Sequence, residues 1–242
     1  KLSNIHLLAN KKYNDRVLQL GEEVWRTKLV GLDFLDELKN QKILSRNDFF
    51  SKFGLSSKLK TFFATFHPVT LEKENLKFQI KNFLLAIEKS KFQCIFTYPN
   101  SDLGYETILR EIEKFIRKKR STKHILLRKL NINDYSNVLK NCDVVIGNSS
   151  MGIVDAASFK KPVINIGNRQ KGKFFPKNVI SSNYHYKSIL RSLKHINLKK
   201  YNKKLSNLKN PYEPKKYNLS RFLNSLLVSK GKNINKKIFV ER

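Results

Sequence analysis

From residue 61 to residue 166 the chain repeats a single pattern, and this pattern limits its fold more than any other feature. A short apolar run rich in β-branched and aromatic residues is followed by a longer stretch with helical apolar spacing. The runs at 61–66, 92–98, 124–127, 143–146 and 162–166 read as strands, the last of them as the final strand. Between them, residues 74–89 place Leu76, Ile80, Phe83, Leu84 and Ile87 on one helical face, and 105–118 does the same with Ile108, Leu109, Ile112, Phe115 and Ile116. Shorter helices are expected at 133–140 and 152–159. Strands that alternate with helices in this way need crossover connections, so the fold class is α/β, a parallel sheet covered by helices on both faces.

The flanks are less regular. Residues 1–54 hold a weakly alternating run at 2–10, a helix at 14–20, a strand-like run at 27–30, and short helices at 33–39 and 45–53, the last capped by Ser45 and closed by Gly54. Residues 55–183 form the regular α/β domain. Residues 184–242 form a basic tail with amphipathic helices at 184–195 and 219–228, a polar Lys/Asn-rich stretch between them, and fraying from Gly231 onward. With 40% hydrophobic residues in 242, the chain has the apolar material of a folded domain, which excludes disorder for most of it.

Charge suggests an anionic partner, since 49 Lys plus Arg face 19 Asp plus Glu and the net charge is +30. Only 11 of those 49 bases are Arg, however, and bidentate reading of phosphates or guanine edges favours Arg over Lys. The aromatics of the tail, Tyr201, Tyr212, Tyr217 and Phe222, are irregularly spaced for base stacking. Nucleic acid is therefore not the expected partner. Cys94 and Cys142 sit singly in apolar runs and read as small core residues of a reducing compartment. No apolar run reaches the roughly 18 residues of a membrane span, and the start lacks the pattern of a signal peptide. The expectation is a cytoplasmic protein without membrane contact.

In open parallel sheets ligands bind at the carboxyl ends of the strands. The sequence there offers His67-Pro68, Pro99-Asn100-Ser101-Asp102, Gly147 to Gly152, and Gly167-Asn168-Arg169-Gln170. The turn Gly147-Asn148-Ser149-Ser150-Met151-Gly152 would present free N–H groups, hydroxyls and a helix N-terminus to a phosphate, or it is an ordinary helix cap. Asp155 either balances the helix dipole or accepts from a ribose diol. His67 either donates to a phosphate or handles a proton near neutral pH, or it is a structural histidine, and Arg169 either reaches phosphate oxygens or pairs on the surface. Asn100 forms an Asx turn or bonds a polar ligand. No Walker loop, GxGxxG, HExxH or paired metal-ligand motif occurs, so a metal-independent phosphate site with no cofactor is expected.

Six segments in order carry a resemblance: KLSNIHLLAN at 1–10, RVLQLGE at 16–22, TFHPVTLE at 65–72, YPNSDLGY at 98–105, IGNSSMGIVDAASF at 146–159 and PVINIGNRQKGK at 162–173. In these the chain resembles the hydrolysing UDP-N-acetylglucosamine 2-epimerases, enzymes of sialic-acid-type sugar biosynthesis. The resemblance implies a GT-B-like architecture of two Rossmann-like domains, of which this chain holds the end of the first and the whole second. It also implies conversion of UDP-N-acetylglucosamine and water into N-acetylmannosamine and UDP, with homo-oligomerisation. By the same resemblance His67 is catalytic at the leaving diphosphate, and Ser149, Ser150, Gly152 and Arg169 hold that diphosphate. Asp155 grips the ribose, Asn100 contacts the ligand near the cleft, and the backbone around Leu130 holds the uracil. The acids that move protons at the sugar are implied to lie in a first domain ahead of Lys1. An epimerase for a UDP- or GDP-linked diacetamido sugar, or another GT-B nucleotide-sugar enzyme, is the neighbouring reading. Outside the enzyme class, the alternative is a basic nucleic-acid-binding module. The chain departs from the family pattern at Asp155 (usually Glu), Met151 (usually small), Ala157 (often Pro) and Lys173 (often Arg).

Overall fold

The computed structural model describes residues 2–118, 124–196, 199–214, 219–228 and 236–241. The chain forms two compact units, residues 1–37 with 210–242, and residues 38–209. Sequence pattern placed divisions after residues 54 and 183; the units divide after 37 and 209.

In the first unit, β1 (His6–Leu8) and β2 (Thr27–Leu29) pair in parallel, joined through α1 (Lys11–Gln19). Asn10 caps α1 by accepting from the Tyr13 N–H at 3.0 Å. Arg26 is buried here because every side of its guanidinium is used. It donates to Glu23 at 2.6 Å, to the Asn4 carbonyl at 3.1 Å and to the Lys236 carbonyl at 2.8 Å, and it stacks on Trp25. Gly31 has φ +80°, and a Cβ there would lie 2.3 Å from the Glu213 carbonyl oxygen. The expectation of fraying from Gly231 falls partly on residues 231–235, outside the described set. Within 236–241, Lys237 bonds Glu22 at 2.8 Å and the Val240 N–H donates to the Gly21 carbonyl at 3.1 Å. Helix α2 (Phe34–Lys39) contains the division between the units, and α10 (Leu219–Val228) belongs to the first.

The second unit carries β3 (Thr61–Thr65), α4 (Leu76–Ser90), β4 (Gln93–Thr97), α5 (Tyr105–Lys118), β5 (His124–Leu127), α6 (Ile132–Asn141), β6 (Val144–Gly147), α7 (Met151–Val154), β7 (Val163–Ile166) and β8 (Val179–Ser182). It opens with α3 (Arg46–Lys52) and closes with α8 (Tyr186–Ile196) and α9 (Lys199–Ser206). The six strands are all parallel in the order β5-β4-β3-β6-β7-β8. Both faces are buried, which is why the strands read as continuous apolar runs rather than alternating ones. On one face Phe62, Ala64, Phe66, Ile146, Ile164 and Ile166 pack with residues of α4, α5, α8 and α9. On the other, Phe63, Ile95, Val145 and Val163 pack with Phe49 and Phe50 of α3 and Val138 and Leu139 of α6. Cys94 and Cys142 are free and buried in these cores, as their setting implied.

Three expectations need correction. The strand ending at Ile166 is not the last, because β8 adds to the sheet edge beyond it. The polar stretch after α8 contains α9, whose Tyr201 and Leu205 are one helical turn apart and reach the core. Helix α7 spans only Met151–Val154, and the chain continues in turns to Lys160, which takes φ 54°. Gly152 with β-branched Ile153 and Val154 gives this segment little helix propensity.

Candidate nucleotide-diphosphate site

Strand β3 is the pivot of the sheet. The chain winds outward from it through β4 and β5, then returns to lay β6 on its other side. The loops after β3 and β6 therefore diverge and leave a crevice at their carboxyl ends. Five small or polar residues lie in one register row there. Thr97 meets Thr65 through hydroxyls 2.5 Å apart, Thr65 pairs with Gly147, Gly147 with Asn165, and Asn165 with Ser181. Gly147 is forced by this packing. Its φ is +135°, and a Cβ would lie 1.9 Å from the Thr65 carbonyl oxygen.

Asn148 joins the two sides of the crevice. It is fully buried, its Oδ1 accepts from the His67 N–H at 2.7 Å, and its Nδ2 donates to the His67 carbonyl at 2.8 Å. Its own carbonyl accepts from Gln170 Nε2 at 2.8 Å and from Arg169 at 3.4 Å, which ties in the loop after β7. The Asn100 N–H donates to His67 Nδ1 at 3.0 Å, so the ring proton resides on Nε2. Burial, reinforced by the neighbouring Arg169, holds the imidazole down at about 4. His67 is thus neutral at physiological pH, a pre-oriented Nε2–H donor rather than a proton carrier near neutrality.

Ser149 and Ser150 begin the turn. The Met151 N–H donates to Ser149 Oγ at 3.4 Å, and no hydrogen bond within the protein uses the N–H groups of Ser149 and Ser150 among the described residues. With α7 a single turn long, these N–H groups and hydroxyls, rather than a macrodipole, are what the turn presents to an anion. Gly152 is buried against the sheet, where a Cβ would come within 2.8 Å of Val163 Cγ1. Arg169 lies 3.9 Å from Asp102, a long ion pair, and among the described residues it keeps further N–H groups available. The Asn100 side chain is itself engaged, donating to Asp102 at 2.6 Å. Leu130 is half-buried in the loop between β5 and α6, packed on the second core.

Asp155 lies at the C-terminal end of α7 and not in a first turn, so the dipole-balancing reading fails. It is buried, one oxygen accepts from the Tyr135 hydroxyl, and Oδ1 has no partner among the described residues. Burial pushes its carboxyl up to about 6, partly offset by the Tyr135 hydrogen bond. No sequence motif marks Tyr135 as a site residue, although its position one turn before Val138 and Leu139 on α6 marks an inward-facing residue. Asn148 likewise shows in the sequence only as part of its turn.

The Asp155 environment yields a prediction. A carboxyl whose folded value lies above its unfolded value stabilises the fold only at low pH. Its contribution is present below about 3.8 and lost as pH rises through about 6. Asp155→Asn keeps an acceptor for Tyr135 and removes the ionisation. Urea unfolding at pH 7.5 should show the variant more stable than wild type by about 1–3 kcal/mol, with the difference vanishing near pH 4.

Among the described residues no group of three or more His, Cys, Asp or Glu could hold a metal ion, and no helix is long and apolar enough to cross a membrane.

Six parallel strands wound both ways from β3, with the polar crevice at the switch point, define a doubly wound α/β domain of the GT-B type. The chain belongs to the UDP-N-acetylglucosamine 2-epimerase family, whose model matches residues 1–218. It is 34% identical over 196 residues to the UDP-N,N'-diacetylbacillosamine 2-epimerase (hydrolyzing) of Legionella pneumophila, covering 80% of this chain and 51% of that protein. It is 31% identical over 193 residues to the UDP-N-acetylglucosamine 2-epimerase of Neisseria meningitidis, covering 80% of this chain and 50% of that one. The chain therefore spans about half the length of these curated relatives. The crystal structure of the UDP-GlcNAc 2-epimerase from Neisseria meningitidis bound to UDP-GlcNAc superposes with a TM-score of 0.69 at 17% identity, over 88% of this chain and 58% of that one.

Proposed function

We propose that the chain is the nucleotide-binding part of a hydrolysing UDP-N-acetylglucosamine 2-epimerase. The observation that carries this reading is the Asn148 clasp, which ties the His67 backbone to the start of the Ser149-Ser150 turn, while the Asn100 N–H orients the neutral ring and leaves Nε2–H without a partner among the described residues. In the proposed reaction a base removes the proton at C2 of the sugar while the C1–O bond breaks and UDP departs. Water then adds at C1 and a proton returns to C2 on the opposite face, giving N-acetylmannosamine. Negative charge develops on the diphosphate as UDP leaves. His67 Nε2–H, the Ser149 and Ser150 hydroxyls and N–H groups, and Arg169 would receive it without a cation. An approaching diphosphate favours the charged imidazole and raises His67 from its low value, which strengthens the bond as the leaving group gains charge. Asp155 would accept from the ribose, with Tyr135 fixing the carboxylate, and the backbone around Leu130 would meet the uracil. The acids that exchange the C2 proton would come from outside residues 1–242. This chain by itself should therefore bind the substrate and release no N-acetylmannosamine.

The Legionella relative favours a second substrate, a UDP-linked diacetamido sugar processed by the same steps. Both substrates share the nucleotide end, and one experiment tests it. Titration of UDP and 2′,3′-dideoxy-UDP into wild type and Asp155→Ala should show UDP weakened by about 1.5–3 kcal/mol and the dideoxy ligand hardly changed. Equal losses for the two ligands would remove Asp155 from the ribose.

A further inference from the structure

Beyond Gly147 the polar row at the carboxyl edge runs on to Asn165 in β7 and Ser181 in β8, and there a cavity of about 460 Å³ opens. That volume lies within the range of small-molecule pockets. Asn165 lines it and is only 3% exposed. Its Nδ2 donates to the Gly167 carbonyl oxygen at 3.5 Å, and its Oδ1 has no hydrogen-bond partner among the described residues. A buried acceptor without a donor is costly, and native proteins rarely keep one without a use for it. The remaining lining is mixed in a specific way. Lys171, Lys173 and Ser181 supply donors, while Phe175 and Tyr184 supply aromatic surface. The Tyr184 ring occupies the space over Gly167 and its hydroxyl donates to Glu72 at 2.6 Å, so this wall is fixed.

We propose that this cavity is the subsite for the acylamino group of the nucleotide-linked sugar, with Asn165 Oδ1 accepting its N–H. The proposal rests on the reading that the diphosphate sits at the Ser149-Ser150 turn. Neighbouring strands are about 4.8 Å apart, so Asn165 lies one strand and Ser181 two strands from Gly147, within reach of a pyranose attached to that diphosphate. An acylamino group brings the three features that the cavity asks for. Its N–H meets the orphaned acceptor, its carbonyl meets a lysine or the Ser181 hydroxyl, and its methyl meets the aromatic wall. A water molecule would satisfy Oδ1 but leave the aromatic surface unused.

Calorimetric titration of UDP, UDP-glucose and UDP-N-acetylglucosamine into wild type, Asn165→Val and Ser181→Phe tests the assignment. Wild type should bind UDP-N-acetylglucosamine more tightly than UDP-glucose. Asn165→Val should weaken UDP-N-acetylglucosamine about 10-fold, while UDP and UDP-glucose stay within about twofold, since a site built around one hydrogen bond penalises only the ligand that makes it. Ser181 is exposed, so Ser181→Phe fills the cavity without touching the core; it should weaken both sugar nucleotides and spare UDP. Thermal melts of each variant report folding, and the Ser181 variant decides the matter if Asn165→Val unfolds. Normal UDP binding with no sugar-dependent change in either variant overturns the subsite alone. Failure of folded wild type to bind UDP at all overturns the diphosphate reading, and the subsite with it.

Discussion

Replacing Gly147 with alanine should destabilise the protein by about 3–5 kcal/mol, a large share of the roughly 5–15 kcal/mol that holds a domain together. Two costs add. The residue sits at φ +135°, where an L side chain is strained by about 1–3 kcal/mol. The new methyl would also lie 1.9 Å from the Thr65 carbonyl oxygen, a backbone atom held in the centre of the sheet, so β3 and β6 would have to part. Urea unfolding followed by circular dichroism would measure the loss, and a variant within about 1 kcal/mol of wild type would mean that the β3–β6 approach is looser than described.

Asn148→Leu carries the second largest effect and links stability to binding. The side chain is of similar size but satisfies neither the His67 N–H nor the His67 carbonyl, both of which depend on the buried amide. Each orphaned backbone group costs about 1–3 kcal/mol, so about 2–5 kcal/mol should be lost in all. The loops after β3 and β6 would also separate, releasing His67 from the Ser149-Ser150 turn. UDP affinity measured at a temperature where the variant is still folded should fall by more than about tenfold. A variant that is destabilised yet binds UDP normally would show that the clasp serves the fold and not the site.

Much of this architecture was legible because the central strands are buried on both faces. Runs such as Phe62 to Phe66 and Val144 to Ile146 have no solvent-facing positions, and only a parallel sheet with helices on both sides buries them. Strand β8 lacked that signal. It is a half-buried edge strand, and its two serines dilute the pattern. Helix α9 offered only Tyr201 and Leu205 among lysines and asparagines, too few apolar residues to mark a helix from spacing. The length of α7 was overestimated because apolar residues continue to Phe159 after the helical geometry has ended.

The site positions followed from one topological rule, that ligand-facing residues come directly after the strands, and His67, Ser149, Ser150 and Arg169 all lie in such loops. Their chemistry did not follow from it. That His67 is neutral depends on the Asn100 N–H, 33 residues away in sequence, and on burial. That Asp155 is paired depends on Tyr135, contributed by a different helix. Such partners arise from tertiary packing, and no local spacing announces them.

UDP titration by calorimetry in the presence of EDTA measures whether the crevice takes a nucleoside diphosphate without a metal ion. Saturable binding of one UDP per chain, undiminished by the chelator and reduced by Asn148→Leu, is the predicted result. A cooperatively folded chain that binds no UDP, or binds it only when magnesium is added, would contradict it.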